Sequence, residues 1–357
     1  MRVLVAGDRG YIGAVLGPFL HTAGHQVDGL DLGLYEGCDL GPAPEGGGRS
    51  PSDIRDAEVG QLVGYDAVIC LAALSNDPLG DLNPAATYSV NLEGTLTLAR
   101  AARQAGAERF LFASSCSLYG AAGSAGVAED ADLFPVTPYG QAKVAAEREL
   151  SLLADDAFSP AYLRNATAYG ISPRLRLDIV VNNLTAAAMT TGQVHLESDG
   201  SPWRPLVHVE DICRACLAVL EAPRELVHDQ AFNVGRPQDN VQVRDVAEMV
   251  RCAVPGSRVS FADGAGPDLR NYRVDFAKLN DTFPDLKLRW SVQDGIDELT
   301  NGYSQHGLTY QDFTSSRFVR LRRIRELRSA GLLDEMLRPP GGGQAPAPGT
   351  RIPHDAR

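Results

Sequence analysis

The 357-residue chain lacks several features, and each absence excludes a class of protein. No apolar run reaches the roughly 18 residues that a membrane-spanning helix needs. Basic residues are outnumbered, 33 Lys and Arg against 45 Asp and Glu, for a net charge of −12. That balance argues against a nucleic-acid partner, although a local basic pocket can still hold a phosphate. The six cysteines are scattered, and Cys213 and Cys216 have no second pair to complete a zinc set. Buried thiols in a reducing cytoplasm are the expectation, with no metal site. The first strand begins at residue 2, so no signal peptide is expected. There is no internal repeat. What remains is an ordinary globular composition, 44% hydrophobic and 22% charged, enough for one large domain or two smaller ones.

Strand-like runs at Arg2–Ala6, Gln26–Leu30, Ala67–Leu71, Arg109–Ala113 and Ala161–Arg164 alternate with helix-like runs at Tyr11–Ala23, Pro84–Ala105 and Tyr139–Leu153. The alternation predicts an α/β fold, a Rossmann-type doubly wound parallel sheet covered on both faces. After Asn165 shorter strands and helices interleave, which predicts a smaller mixed α/β substrate lobe. The expected division is residues 1–164 for the nucleotide-binding domain, its sheet completed by later strands, and 165–315 for the substrate lobe. A basic amphipathic helix is expected over 316–338 and a disordered Pro/Gly-rich tail over 339–357.

The first strand runs into Gly7, Gly10 and Gly13, spaced by three, and an apolar helix pattern follows. This is the geometry of a dinucleotide-binding turn. One glycine serves the tight turn, one the approach of backbone to pyrophosphate, and one close helix–sheet packing. The helix N-terminus then favours the anionic phosphates. Asp31 ends the second strand, 18 residues after Gly13. A carboxylate there suits a ribose hydroxyl and repels a 2′-phosphate, which favours NAD over NADP. Arg9 is expected near the pyrophosphate, and Tyr11 and Ile12 along the turn. Tyr139 and Lys143 stand four apart and share a helix face, so an ammonium can lower the phenol's pKa. Ser114 and Ser115 end a buried strand some twenty residues earlier. Ligands of open parallel sheets bind at such strand ends.

On these motifs the chain resembles the extended short-chain dehydrogenase/reductases, in their NAD-dependent nucleotide-sugar epimerase/dehydratase group, over residues 1–300. The resemblance implies that Ser115, Tyr139 and Lys143 are catalytic. It also implies that Asp53 and Ile54 flank the adenine, that Leu71, Ala72 and Ala73 run along the cofactor, and that Asn91 braces the site. For the sugar nucleotide it implies Asn183, Leu184, Arg204 and Arg270, with selectivity in the neighbourhood of Ser75, Cys116, Ser117, Asn165 and Thr167. Sugar 4,6-dehydratases carry an Asp-Glu pair where this chain has Cys116 and Ser117, so that activity is disfavoured. The expected function is NAD-dependent epimerisation of a nucleotide sugar, at C4 through a 4-keto sugar, by a cytoplasmic homodimer. Two alternatives stay open: a keto-sugar reductase or dehydrogenase that exchanges NAD(P) each turnover, and a cofactor-binding regulatory protein with a relic site.

Overall fold

In the computed structural model, residues 1–42, 52–120, 123–264, 266 and 271–340 are described. Continuous apolar runs such as Ala67–Cys70, buried at every position, suit strands covered on both faces. Six strands form one parallel sheet in the spatial order Gln230–Val234, Ser159–Asn165, Arg109–Ser115, Ala67–Cys70, Arg2–Ala6, Gln26–Leu30. One face is covered by Gly13–Thr22 and Val209–Glu221, which bury Leu16, Leu20, Ile212 and Val219. The other is covered by Thr95–Gln104 and Pro138–Ser151, through Leu98, Ala102, Ala146 and Leu150. The strand order reverses at Arg2–Ala6, with its successors on opposite sides, and a crevice opens there at the carboxyl ends.

A second core gathers Val180–Thr191, Val243–Ala253 and Val292–Gln305 around Val181, Val246, Ile296 and Leu299. Short strands edge it. Gln193–Leu196 pairs with Arg258–Phe261, and Trp203–His208 pairs with Thr167–Tyr169 and Asn240–Gln242.

Two elements differ from expectation. The helix expected over Pro84–Ala105 is α-helical at Pro84–Tyr88, widens into a π-helical stretch at Ser89–Gly94, and returns to α at Thr95–Gln104. The widened turn carries Asn91, whose bonds to a neighbouring loop are described below; π-bulges recur at functional sites. The terminal helix is only Arg320–Ser329. Gly331, at φ +70°, stops it, with Gly331 N–H bonded to the Arg328 carbonyl and Leu332 N–H to that of Leu327. This is a Schellman stop, which a glycine makes without steric cost. Residues 332–340 then fold back along the body. Of the expected tail, 341–357 lies outside the described residues.

One buried ion pair ties the sheet to the helix Pro138–Ser151. Arg164 and Glu147 meet at 2.7 Å, both under 9% exposed. Removing one partner leaves the other charge buried and unpaired. Arg164→Met is therefore expected to lower unfolding stability by about 3–5 kcal/mol, read by urea denaturation. A change under about 1 kcal/mol would place the pair with weak surface ion pairs.

Candidate active site

The first strand delivers the chain to Gly7, whose φ is +91°, and a Cβ there would stand 2.7 Å from the Ala72 nitrogen. A Cβ on Gly13 would stand 2.1 Å from the Gly7 carbonyl oxygen. Both positions require glycine, and the result is a backbone cradle against the third strand. The helix that follows has no side-chain cap at its start, which leaves that end to an anionic ligand. The cradle fits a dinucleotide. Gly7, Gly10, Tyr11, Ile12, Gly13, Asp31, Asp53, Ile54, Leu71, Ala72 and Ala73 all line one cavity of about 860 Å³.

Asp31 accepts from the backbone N–H groups of Gly33 at 2.7 Å and Arg9 at 3.2 Å, while burial pushes its carboxyl up. The Arg9 side chain does not line the cavity. Its guanidinium lies 3.0 Å from Glu36, which draws it away from the place expected beside a pyrophosphate. Tyr11 reaches across the crevice and donates to the Gly170 carbonyl at 2.7 Å. Asp53 is bound by Arg55 at 2.5 Å. Asn91 is fully buried and does not line the cavity. Its Oδ1 accepts from Leu74 N–H at 2.8 Å and its Nδ2 donates to the Leu74 carbonyl at 3.1 Å. It fixes the loop after the third strand and is a positioning residue.

Ser115 ends the strand Arg109–Ser115, and Tyr139 and Lys143 stand in the first turns of Pro138–Ser151. All three line the cavity. Ser115 lies near enough to Tyr139 to lower its pKa, and Ser115 Oγ accepts from Ser117 N–H at 3.1 Å. Lys143 Nζ donates to the Ala113 carbonyl at 2.6 Å and lies 5.9 Å from the Tyr139 ring centre. The expectation that Lys143 brings the phenol towards neutrality needs correction. Burial pushes Tyr139 up to about 12, and the Ser115 hydroxyl and the Arg176 charge offset this only in part. Burial also brings Lys143 down to about 8. Desolvation favours the neutral form of each group and outweighs their attraction.

The same cavity is also lined by Ser75, Ser117, Asn165, Thr167, Asn183, Leu184 and Arg204. Asn165 is paired in register with Ser115, and its buried Oδ1 has no hydrogen-bond partner among the described residues. That is an acceptor placed for a ligand. Cys116 does not line the cavity. Its side chain is buried, its Sγ–H donates to the Arg164 carbonyl at 3.1 Å, and burial raises its pKa. The thiol is turned into the core, away from any sugar. Arg270 lies outside the described residues, but Tyr272 lines the cavity.

Sequence reasoning missed charged residues that line the same cavity, among them Arg55, Arg176, Asp178, Glu197 and Arg320. Arg176 binds Asp178 at 2.8 Å and donates to Ser75 Oγ at 3.0 Å. The alternation of Arg174, Arg176 and Asp178 with leucines at 175 and 177 was the available signal, since it puts three charges on one side of an extended segment.

Residues 3–235 match the NAD dependent epimerase/dehydratase family. The chain is 29% identical to a UDP-glucose 4-epimerase of Bacillus subtilis, over 84% of this chain and 94% of that protein. It is 26% identical to a dTDP-glucose 4,6-dehydratase of Streptomyces niveus, over 88% and 96%. The solved structure of MoeE5 in complex with UDP-glucuronic acid and NAD superposes with a TM-score of 0.74 at 27% identity, covering 85% of this chain and 99% of that one.

Asp8 in the glycine turn gives a pH test of this geometry. Burial and the charge of Asp31 push its carboxyl up to about 6. A folded-state pKa above the unfolded value gives stability that is complete below about pH 4 and lost as pH rises through 6. Asp8→Asn is expected to melt higher than the parent at pH 8, with the difference shrinking towards pH 4.5. A constant difference across that range would overturn the assignment.

Proposed function

The chain belongs to the NAD-dependent epimerase/dehydratase family, and from that premise we propose that it is a nucleotide-sugar epimerase acting at C4. The observation that carries this reading is one continuous cavity. It runs from Asp31 and Asp53, past Ser115, Tyr139 and Lys143, to Asn183, Arg204 and the stretch 195–198. A dinucleotide and a sugar nucleotide are accommodated end to end, with the reacting groups in the middle. In this reading Tyr139 Oη takes the proton from the C4 hydroxyl. Ser115 Oγ holds the same oxygen as it becomes a carbonyl. Lys143, with one of its three protons committed to Ala113, keeps donors for the ribose beside the phenol. The cavity lined by Gly7, Gly10, Gly13, Asp31 and Lys143 would hold NAD, which would supply the acceptor and later the donor of hydride. The 4-keto sugar then presents its other face, and Tyr139 returns the proton.

No carboxylate pair follows Ser115, because Cys116 is turned into the core and Ser117 is a hydroxyl. This supports epimerisation over 4,6-dehydration. Asp77 is the carboxylate nearest in influence to Tyr139, and it accepts from Thr137 Oγ1 at 2.7 Å. A keto-sugar reductase or dehydrogenase would share the triad and differ only in exchanging its cofactor. A homodimer through the helices Thr95–Gln104 and Pro138–Ser151 is part of the proposal. Their exposed residues, among them Arg100, Gln104, Gln141 and Arg148, would make a polar joint. Light scattering is expected to give twice the chain mass, and a monomer at micromolar concentration would remove this element.

Three measurements test the reading. The first releases and identifies any bound dinucleotide, then incubates the purified protein with a panel of nucleotide sugars without added cofactor. Retained NAD, a new stereoisomer and no net nicotinamide reduction are expected. Turnover only with added NAD(P) or NAD(P)H would sink the epimerase reading in favour of an oxidoreductase, and loss of water in favour of a dehydratase. The second is Tyr139→Phe, expected to reduce kcat by about 10²–10⁴-fold with cofactor retained. The third follows the phenolate absorbance of Tyr139, as the difference between parent and Tyr139→Phe, against pH. Its midpoint, about 12 in the free protein, is expected to fall when NAD is bound. An unchanged midpoint would remove Tyr139 as the base.

A further inference from the structure

The segment from Arg320 onward lies beyond the residues that match the family, yet it helps to wall the cavity: Arg320 and Leu337 both line it. Its attachments are specific. Arg55 Nη1 donates to the Met336 carbonyl at 2.7 Å, and Arg338 meets Asp56 at 2.6 Å. Ile324, Leu327, Leu333 and Leu337 pack on Leu74, Leu79 and Ala86. Leu337 sits at φ +56°, a left-handed conformation that a leucine adopts only when its surroundings hold it there.

Arg320 is 2% exposed. Its guanidinium stacks on the Tyr35 ring, 3.8 Å from the ring centre, and its Nη2 donates to the Arg174 carbonyl at 3.0 Å. Its Nη1 has no hydrogen-bond partner among the described residues. The nearby carboxylates are already committed, Asp178 to Arg176 at 2.8 Å and Asp39 to Arg174 at 3.1 Å. Arg320 thus adds a buried positive charge with an unused donor at the edge of a cavity. Folds rarely retain such a group without a partner. Burial does lower its pKa, but arginine keeps its proton in proteins, so the charge stays. Tyr35, on which it lies, lines the same cavity and follows Asp31 by four residues. The missing partner is an anion that arrives with a ligand.

We propose that Arg320 is a cofactor-binding residue whose Nη1 meets a phosphate of the dinucleotide, so that the C-terminal segment completes the dinucleotide site. The proposal rests on reading this cavity as the NAD site. A planar guanidinium stacked on a tyrosine is pre-oriented for phosphate, and one charged hydrogen bond of this kind is worth about ten- to a hundredfold in affinity.

The test uses the full-length protein, stripped of nucleotide, in calorimetric titrations with NAD, ADP, adenosine and UDP. Arg320→Met keeps the apolar stem and removes the charge; Arg320→Lys keeps the charge and loses the fork. Arg320→Met is expected to weaken NAD and ADP by at least about tenfold and to leave adenosine and UDP within about twofold. Arg320→Lys should fall between it and the parent. Should the methionine variant fail to fold, the lysine variant is read alone: a loss of about three- to tenfold for ADP with none for adenosine supports the proposal. Equal losses for ADP and adenosine would make Arg320 only a wall. Unchanged NAD and ADP binding would overturn the proposal outright. Loss for UDP alone would move the contact to the sugar nucleotide's diphosphate. A parent protein that binds no NAD would overturn the reading of the site itself.

Discussion

The buried pair between Arg164 and Glu147 sets the spacing on which the site depends. Arg164 belongs to the strand Ser159–Asn165, and Glu147 stands four residues after Lys143 on the helix that carries Tyr139. Glu147 also accepts from Ser114, the neighbour of Ser115. Arg164 Nη1 donates to the Tyr119 hydroxyl at 3.0 Å, which in turn donates to Asn233 Oδ1 at 2.7 Å. One network therefore links two strand ends, the catalytic helix and the last strand of the sheet. A buried network of this kind is stable only when every member is satisfied, so it tolerates one arrangement and few others. This network fixes the strand end that carries Ser115 against the helix that carries Tyr139.

Much of this was legible in local pattern. The glycine turn, the strands Arg2–Ala6 and Gln26–Leu30 and the Tyr139–Lys143 spacing depend on residues close in sequence, where period and steric need speak directly. The side chains that were misplaced depend on distant partners. Arg9 turns to Glu36 and Cys116 to the Arg164 carbonyl. No local rule announces such pairings. The π-helical stretch at Ser89–Gly94 is invisible for the same reason, since the Asn91 bonds associated with it run to another loop. Glu147 could have been found: it continues the stripe of Tyr139 and Lys143 by one more turn.

The electrostatics of the pair Tyr139 and Lys143 carry a consequence for chemistry. Burial raises the phenol to about 12 and lowers the ammonium to about 8, so each is displaced towards its neutral form. A phenol at that value is a poor source of base near neutrality. The groups that pull it down in the free protein are Ser115 and Arg176. In the proposed reading the remainder would come with the ligands, and a positively charged nicotinamide is of the right sign.

The division of labour along the chain follows from where the family match ends. Residues 3–235 hold the glycine turn, Asp31, Ser115, Tyr139 and Lys143. Several residues that finish the cavity come later: Val243, Gly266, Tyr272, Arg320 and Leu337. Tyr272 lines the cavity with Ser117, and Arg320 and Leu337 stand with Tyr35 and Arg55 in the wall. A wall made by separate late segments can change its lining without disturbing the sheet or the catalytic helix. Discrimination among sugar nucleotides requires polar contacts placed to satisfy one ligand and strand another. In the proposed reading those contacts would fall on the late segments and on the loop around Arg176, and the chemistry on the strand ends.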